Sequence, residues 1–290
     1  MDYQLGVMAA VIAMLCWGFG DFLIQKFARR IGDWESLFYV SLFGAVVIFP
    51  FIYGQLYLLL SDMKGLVLLS ATAVVLLVAA LLDLEALKDG KLAVTEPIFV
   101  LEIPVASLLA YFLISEGISL VQTLLIGGLI VGLVLVSLRS SHLKRKKWLE
   151  KGVILAFVGS IFMGATGFVF GVAARETSAL MVNWFTSLFL VIVCIIYLAH
   201  KSRLHKLRMD GHKGTKLLLA LCVLDNGAWI AFAYATVLTP IAIAMSISEC
   251  FIIITVLMGI FVSREKLMRH QKVGLVVAIA LAIILAAISG

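Results

Sequence analysis

Four carboxylates stand inside long apolar runs of this chain: Asp21, Glu102, Asp225 and Glu249. With each run taken as a straight helix at about 1.5 Å per residue, three of them lie close to mid-span, roughly 14–15 Å from the nearer start. These are Glu102, Asp225 and Glu249, while Asp21 falls deeper along its run. An acidic group at the centre of an apolar span costs roughly 2.5–3.5 kcal/mol on insertion scales, and is tolerated where it faces a bundle interior or a wet cavity. No lysine or arginine occupies the middle of any run, so the sequence offers these acids no basic neighbour at that depth. Either some of them hold protons or a cation neutralises them. The first outcome is proton coupling and the second is binding of a positively charged solute. The plain alternative is a set of protonated acids hydrogen-bonded between helices.

Aromatic spacing sharpens the cation reading. Trp17 and Asp21 are four residues apart, as are Asp225 and Trp229, so each pair shares one helix face. An indole face attracts a desolvated cation by about 2 kcal/mol. Asn183, Asn226 and Tyr234 could add hydrogen bonds, whereas Trp184 is placed as an interface anchor. The candidate substrate-binding or proton-coupling set is therefore Trp17, Asp21, Glu102, Asn183, Asp225, Asn226, Trp229, Tyr234 and Glu249. Pro104 is expected to withdraw an amide from a helix interior and free the carbonyl of Val100 beside Glu102. Asp83, Glu85, Glu96, Glu116 and Glu265 sit near span ends, where headgroups and water solvate them. Glu116 and Glu265 could also cap or brace a tight turn.

The elements that must position these groups follow from composition. The chain is 63% hydrophobic and 14% charged, with mean hydropathy +1.14, which excludes a soluble globular domain. Ten spans are predicted at 5–27, 37–59, 65–86, 93–114, 120–138, 152–173, 179–199, 215–236, 240–262 and 273–289. The basic residues lie in short loops between the runs, which fits cytoplasmic membrane loops and argues against nucleic acid as a partner. Cys16, Cys194, Cys222 and Cys250 lie inside apolar runs without CxxC spacing, and the five histidines lie in basic loops. Neither pattern predicts a disulfide framework or a metal site. No cofactor is predicted, and the absence of GxxxxGK leaves facilitated or ion-driven movement. A cleavable signal is not expected, because Met1–Asp2 lacks a basic n-region and the first apolar run is too long.

An internal repeat runs through the chain. Gly6 to Phe43 matches Gly152 to Phe189 at an offset of 146, with Gly18 on Gly164, Phe22 on Phe168 and Arg29 on Arg175. Beyond that the offset is 149, placing Ala86 on Ala235, Glu116 on Glu265 and Gln122 on Gln271. The halves are 1–145 and 146–290. Five spans per half is odd, so the second half enters the membrane from the opposite side, giving an all-α membrane protein of two inverted five-helix repeats. Of the 23 lysines and arginines, all but Lys64 and Arg175 fall on one side. The positive-inside rule then puts both termini outside and the basic loops in the cytoplasm. Gly128 and Gly132, with the stripe Gly274, Ala278, Ala282 and Ala286, are expected to pack helices within the bundle rather than to drive dimerisation.

The ten short spans in two repeats, Trp17-Gly18 in span 1, and the acids closing spans 4 and 9 (Ile114-Ser-Glu116-Gly and Val262-Ser-Arg-Glu265) resemble the drug/metabolite transporter superfamily, EamA-type. The resemblance covers nearly the whole chain, and the acids Asp21 and Asp225 stand outside its general pattern. It implies a permease of the inner or plasma membrane for a small metabolite, working by alternating access around a cavity lined by spans 1, 3, 4, 6, 8 and 9. Such a protein would act as a monomer or weak dimer among membrane lipids, with no catalytic residue. Two other classes compete with this reading. Gly18-Phe19-Gly20-Asp21 reads as the GxGD of intramembrane aspartyl proteases with Asp225 as second aspartate, but Leu224 precedes Asp225 where that enzyme has Tyr. A non-transporting scaffold does not account for the mid-span acids.

Overall fold

The computed structural model describes residues 2–89, 98–138, 151–207, 212–263 and 267–289. Every regular element among them is helical, as the periodicity and hydropathy predict. In order these are α1 (Asp2–Ile31), α2 (Asp33–Ile52), the short α3 (Leu56–Ser61), α4 (Met63–Asp89), α5 (Glu102–Ile114) and α6 (Leu120–Ser137). The second half gives α7 (Lys151–Glu176), α8 (Ala179–His200), α9 (His212–Leu238), α10 (Ile241–Ser248), α11 (Phe251–Ser263) and α12 (Arg269–Ser289). Among the described residues nine segments are long and apolar enough to cross a membrane, and Glu102–Ile114 is a shorter apolar helix. Side chains such as Phe51, Phe112, Leu124 and Val276 stand exposed on the outer surface, where lipid rather than water suits them.

The repeat is visible in how the helices pack. α1 lies along α9 and α4 lies along α7, which is one contact made twice, since α7 repeats α1 and α9 repeats α4. α2 packs on its own counterpart α8, and α6 on its counterpart α12. The glycines show the equivalence at atomic scale. A Cβ on Gly18 would meet Ile254 Cβ at 2.5 Å, and one on the matching Gly164 would meet Val105 Cβ at 2.7 Å. Ile254 and Val105 are themselves related by the offset of 149. Both glycines thus let a helix of one half press against the other half. The stripe on α12 does the same locally: the Cβ position of Gly132 lies 3.0 Å from the amide nitrogen of Ala278, and that of Gly274 lies 2.8 Å from the Gly132 carbonyl.

Caps repeat too. Gln122 Oε1 accepts from the Ser119 amide at 2.9 Å, and Gln271 Oε1 accepts from the Met268 amide at 2.9 Å. Each glutamine reaches back to an otherwise open amide at a helix start. His270 is not a solvated loop histidine: its Nε2 lies 2.7 Å from the Leu138 carbonyl, at the end of α6.

Two expectations about the predicted span four change. α5 begins at Glu102, so Pro104 occupies its first turn, where the missing amide has no intrahelical partner to lose. The carbonyl of Val100 is not freed either, because it accepts from the Ile103 amide at 3.3 Å. Glu96, Glu265 and the basic loop 139–150 lie outside the described residues.

Candidate functional site

The predicted spans four and nine (93–114 and 240–262) are both interrupted, and at equivalent places. The chain turns at 100–101 before α5 and at 249–250 between α10 and α11. The Leu101 amide donates to Ile98 O at 3.0 Å and the Ile103 amide to Val100 O at 3.3 Å. At an offset of 149, the Cys250 amide donates to Ile247 O at 3.2 Å and the Ile252 amide to Glu249 O at 3.4 Å. These matched short-range bonds interrupt the regular ladder in each half, and an acid stands at each break: Glu102 opens α5 and Glu249 closes α10. Interrupted helices at matching depth in two inverted halves mark the binding region of many transporters, since irregular backbone in a membrane is stable only where protein or a cavity surrounds it.

Between the halves lies a cavity of about 340 Å³. That volume sits within the range of about 300–1,000 Å³ typical of small-molecule sites. Its walls come from equivalent positions. Leu37, Val40 and Ser41 on α2 face it with their counterparts Asn183, Thr186 and Ser187 on α8. Leu76, Ala80 and Asp83 on α4 face it with Asp225, Trp229 and Phe232 on α9. Trp17 on α1 is matched by Met163 on α7. The two halves present the same faces, but the polar groups are distributed unequally between them.

The structure brings Trp17, Glu102, Asn183, Asp225, Asn226, Trp229 and Glu249 to this one cavity. Glu102 and Glu249 are buried, at 7% and 4% exposure, and Asp225 is half-buried. Trp17 and Trp229 meet each other: their ring centroids are 5.2 Å apart and nearly perpendicular. Phe232 and Phe251 pack on Trp17 at 5.6 and 6.4 Å, and Phe170 on Trp229 at 4.9 Å. These contacts brace the two indoles, both of which line the cavity.

The asparagines have a second duty. Asn226 Nδ2 donates to the Val40 and Cys222 carbonyls at 3.0 and 2.9 Å, tying α9 to α2. Asn183 Nδ2 donates to Ala179 O at 2.7 Å and to Trp229 O at 3.4 Å. Their amide donors are engaged by backbone, so they set the cavity's shape.

Two expected members are not gathered here. Tyr234 is 44% exposed and does not line the cavity, because it lies five residues past Trp229 and so turns off the face that carries Asp225, Trp229 and Phe232. The Asp21 side chain lies outside the described residues, so no paired-aspartate geometry with Asp225 is on view. One residue was missed. Asp83 was placed at a solvated span end, but α4 runs on to Asp89 and Asp83 lines the cavity wall. The repeat held the signal, since Asp83 falls on the Asp225-Trp229 face once the offset of 149 is applied.

The far end of the molecule is closed differently. Arg175, in the last turn of α7, donates from Nε to Thr236 O at 2.6 Å and from Nη2 to Thr239 O at 2.9 Å. Glu116 Oε2 accepts from the Ile241 amide at 2.7 Å, capping α10 as the turn-bracing expectation had it. The cavity does not reach this network. Its lining runs instead past Ser36 at the start of α2 and Asp83 near the end of α4, which lie at the opposite end.

Comparisons with known proteins agree with this architecture. None of the curated proteins matches the chain. A solved structure titled only "Crystal structure of protein" superposes with a TM-score of 0.75, covering 98% of this chain and 95% of that one at 13% identity, which shows the fold alone. The sequence pattern of the EamA-like transporter family matches twice, at residues 4–138 and 150–287, one match for each repeat. This integral membrane protein of two five-helix repeats around a central cavity belongs to the EamA-like transporter family.

Proposed function

We propose that the chain is a secondary active or facilitative permease that carries a small organic cation, or couples its substrate to protons, by alternating access. The observation that supports this is the convergence of Glu102, Asp225 and Glu249 with Trp17 and Trp229 on one cavity between inverted halves. Carboxylates supply the charge complement of an ammonium group, and indole faces supply an apolar, weakly negative wall. No covalent step is required of any residue. Rocking of the halves about the cavity would expose it to each side in turn. With the basic loops in the cytoplasm of an inner or plasma membrane and both termini outside, this cavity faces inward and the Arg175–Glu116 end is the closed outer end.

The test begins with a thermal-shift screen of a metabolite panel at two pH values, since a ligand of the folded state raises the melting point. The best ligand is then followed into proteoliposomes. Asp225→Asn is expected to abolish its uptake while the purified protein still melts cooperatively. Uptake equal to that of the unaltered protein would remove Asp225 from the site.

A further inference from the structure

Asp83 is the acid that the mid-span reading leaves aside, and its surroundings are specific. It stands on the cavity wall, and its Oδ1 is buried and accepts no hydrogen bond among the described residues. Across from it α7 carries Gly159, where any Cβ would run into that same oxygen. The glycine makes a niche that only a residue without a side chain can leave open. A carboxylate oxygen buried without a donor is unfavourable by more than a kcal/mol unless a proton or a cation satisfies it. Among the described residues, no side chain of α7 donates to it.

The repeat gives this acid an orientation. Its counterpart on α9 is Phe232, 1% exposed and packed on Trp17 and Trp229. The cavity is therefore aromatic where Phe232 and Trp229 stand on α9 and acidic at the place on α4 that mirrors Phe232, with Asp225 two turns away from Phe232 along α9. A solute that matches both sides has its charge at one end of an apolar body.

Resting on the cation reading above, we propose that Asp83 receives the positive group of the substrate, whose apolar body lies against Trp17, Trp229 and Phe232: the substrate class is a monocation of the arylalkylammonium kind. Asp225 and the acids at the helix breaks then face the body's flank or carry coupling protons.

Calorimetry on the purified, detergent-solubilised protein tests this with phenethylammonium, butylammonium and neutral 2-phenylethanol. The unaltered protein should bind phenethylammonium best. Asp83→Asn should weaken phenethylammonium by at least about tenfold, the loss of one charge-assisted contact, and leave 2-phenylethanol unchanged. Gly159→Ala keeps the charge but fills the niche, and should weaken phenethylammonium in the same direction. It also carries the test if Asp83→Asn fails to fold. Unchanged phenethylammonium binding in both variants would overturn the role of Asp83 while leaving the cation reading intact. An unaltered protein that binds 2-phenylethanol as tightly as either ammonium would overturn the cation reading itself, and this inference with it.

Discussion

Arg175 Nη2 and Glu116 Oε1 lie 2.8 Å apart, joining the last turn of α7 to the segment just past α5. The same two residues also cap α9 at Thr236 and Thr239 and hold the first amide of α10. One ion pair thus fastens the ends of four helices at the end the cavity does not reach. The two side chains are only 27% and 15% exposed, so water screens the pair less than it would a surface bridge.

Glu116→Ala should therefore destabilise the protein by about 1–3 kcal/mol, because it strips Arg175 of its carboxylate partner and leaves the Ile241 amide without this acceptor. It should also admit water-soluble thiol reagents from this end to a cysteine placed at Ser187 on the cavity wall, in a background free of native cysteines. A lowered melting point with no gain in labelling would mean that the pair only caps helices.

Trp229→Ala should lower affinity for a cationic ligand by about 2 kcal/mol, near thirtyfold in Kd, with Trp229→Phe intermediate. Tyr234→Phe serves as the comparison, since Tyr234 lies off the cavity face and should leave Kd unchanged. Titration calorimetry on the three variants reads both effects. An equal loss in Tyr234→Phe would mean the cavity face is wrongly drawn.

How much of this was legible beforehand depends on what each residue's signal was. The spans and the repeat were legible because apolar length and matched positions such as Gly18 and Gly164 survive in one dimension. The convergence of Glu102, Asp225 and Glu249 was legible because charge in an apolar run has few stable places. Asp83 was not, since its reading depended on where α4 ends, and helix ends are the least determined feature of a sequence. Tyr234 was placed by proximity to Trp229 along the chain, and helical rotation carried it off the face. The breaks at 100–101 and 249–250 had no composition signal: neither turn contains glycine or proline.

Gly18→Leu and Gly164→Leu should destabilise alike, by about 1–3 kcal/mol each, because both overfill equivalent contacts between the halves. Unfolding in mixed detergent would measure it. Tolerance of one change and not the other would break the equivalence of the two contacts.

Ser119→Ala should cost about 1 kcal/mol, since the Ser119 hydroxyl accepts from the Gln122 amide at the start of α6. Gln122→Ala and Gln271→Ala should each lower the melting point by similar amounts, their side chains making the same bond in each half. A silent Gln271→Ala would show that the second cap is dispensable.

The crossed packing of α1 on α9 and of α4 on α7 bears on how the molecule is made. While a ribosome is still delivering residues before Lys151, α1 and α4 each have their longest interhalf face turned to lipid or to an insertion factor. Those faces find their mates only after the latter part of the polypeptide emerges. A stalled or truncated product would consequently be inserted yet incomplete, a ready substrate for membrane quality control.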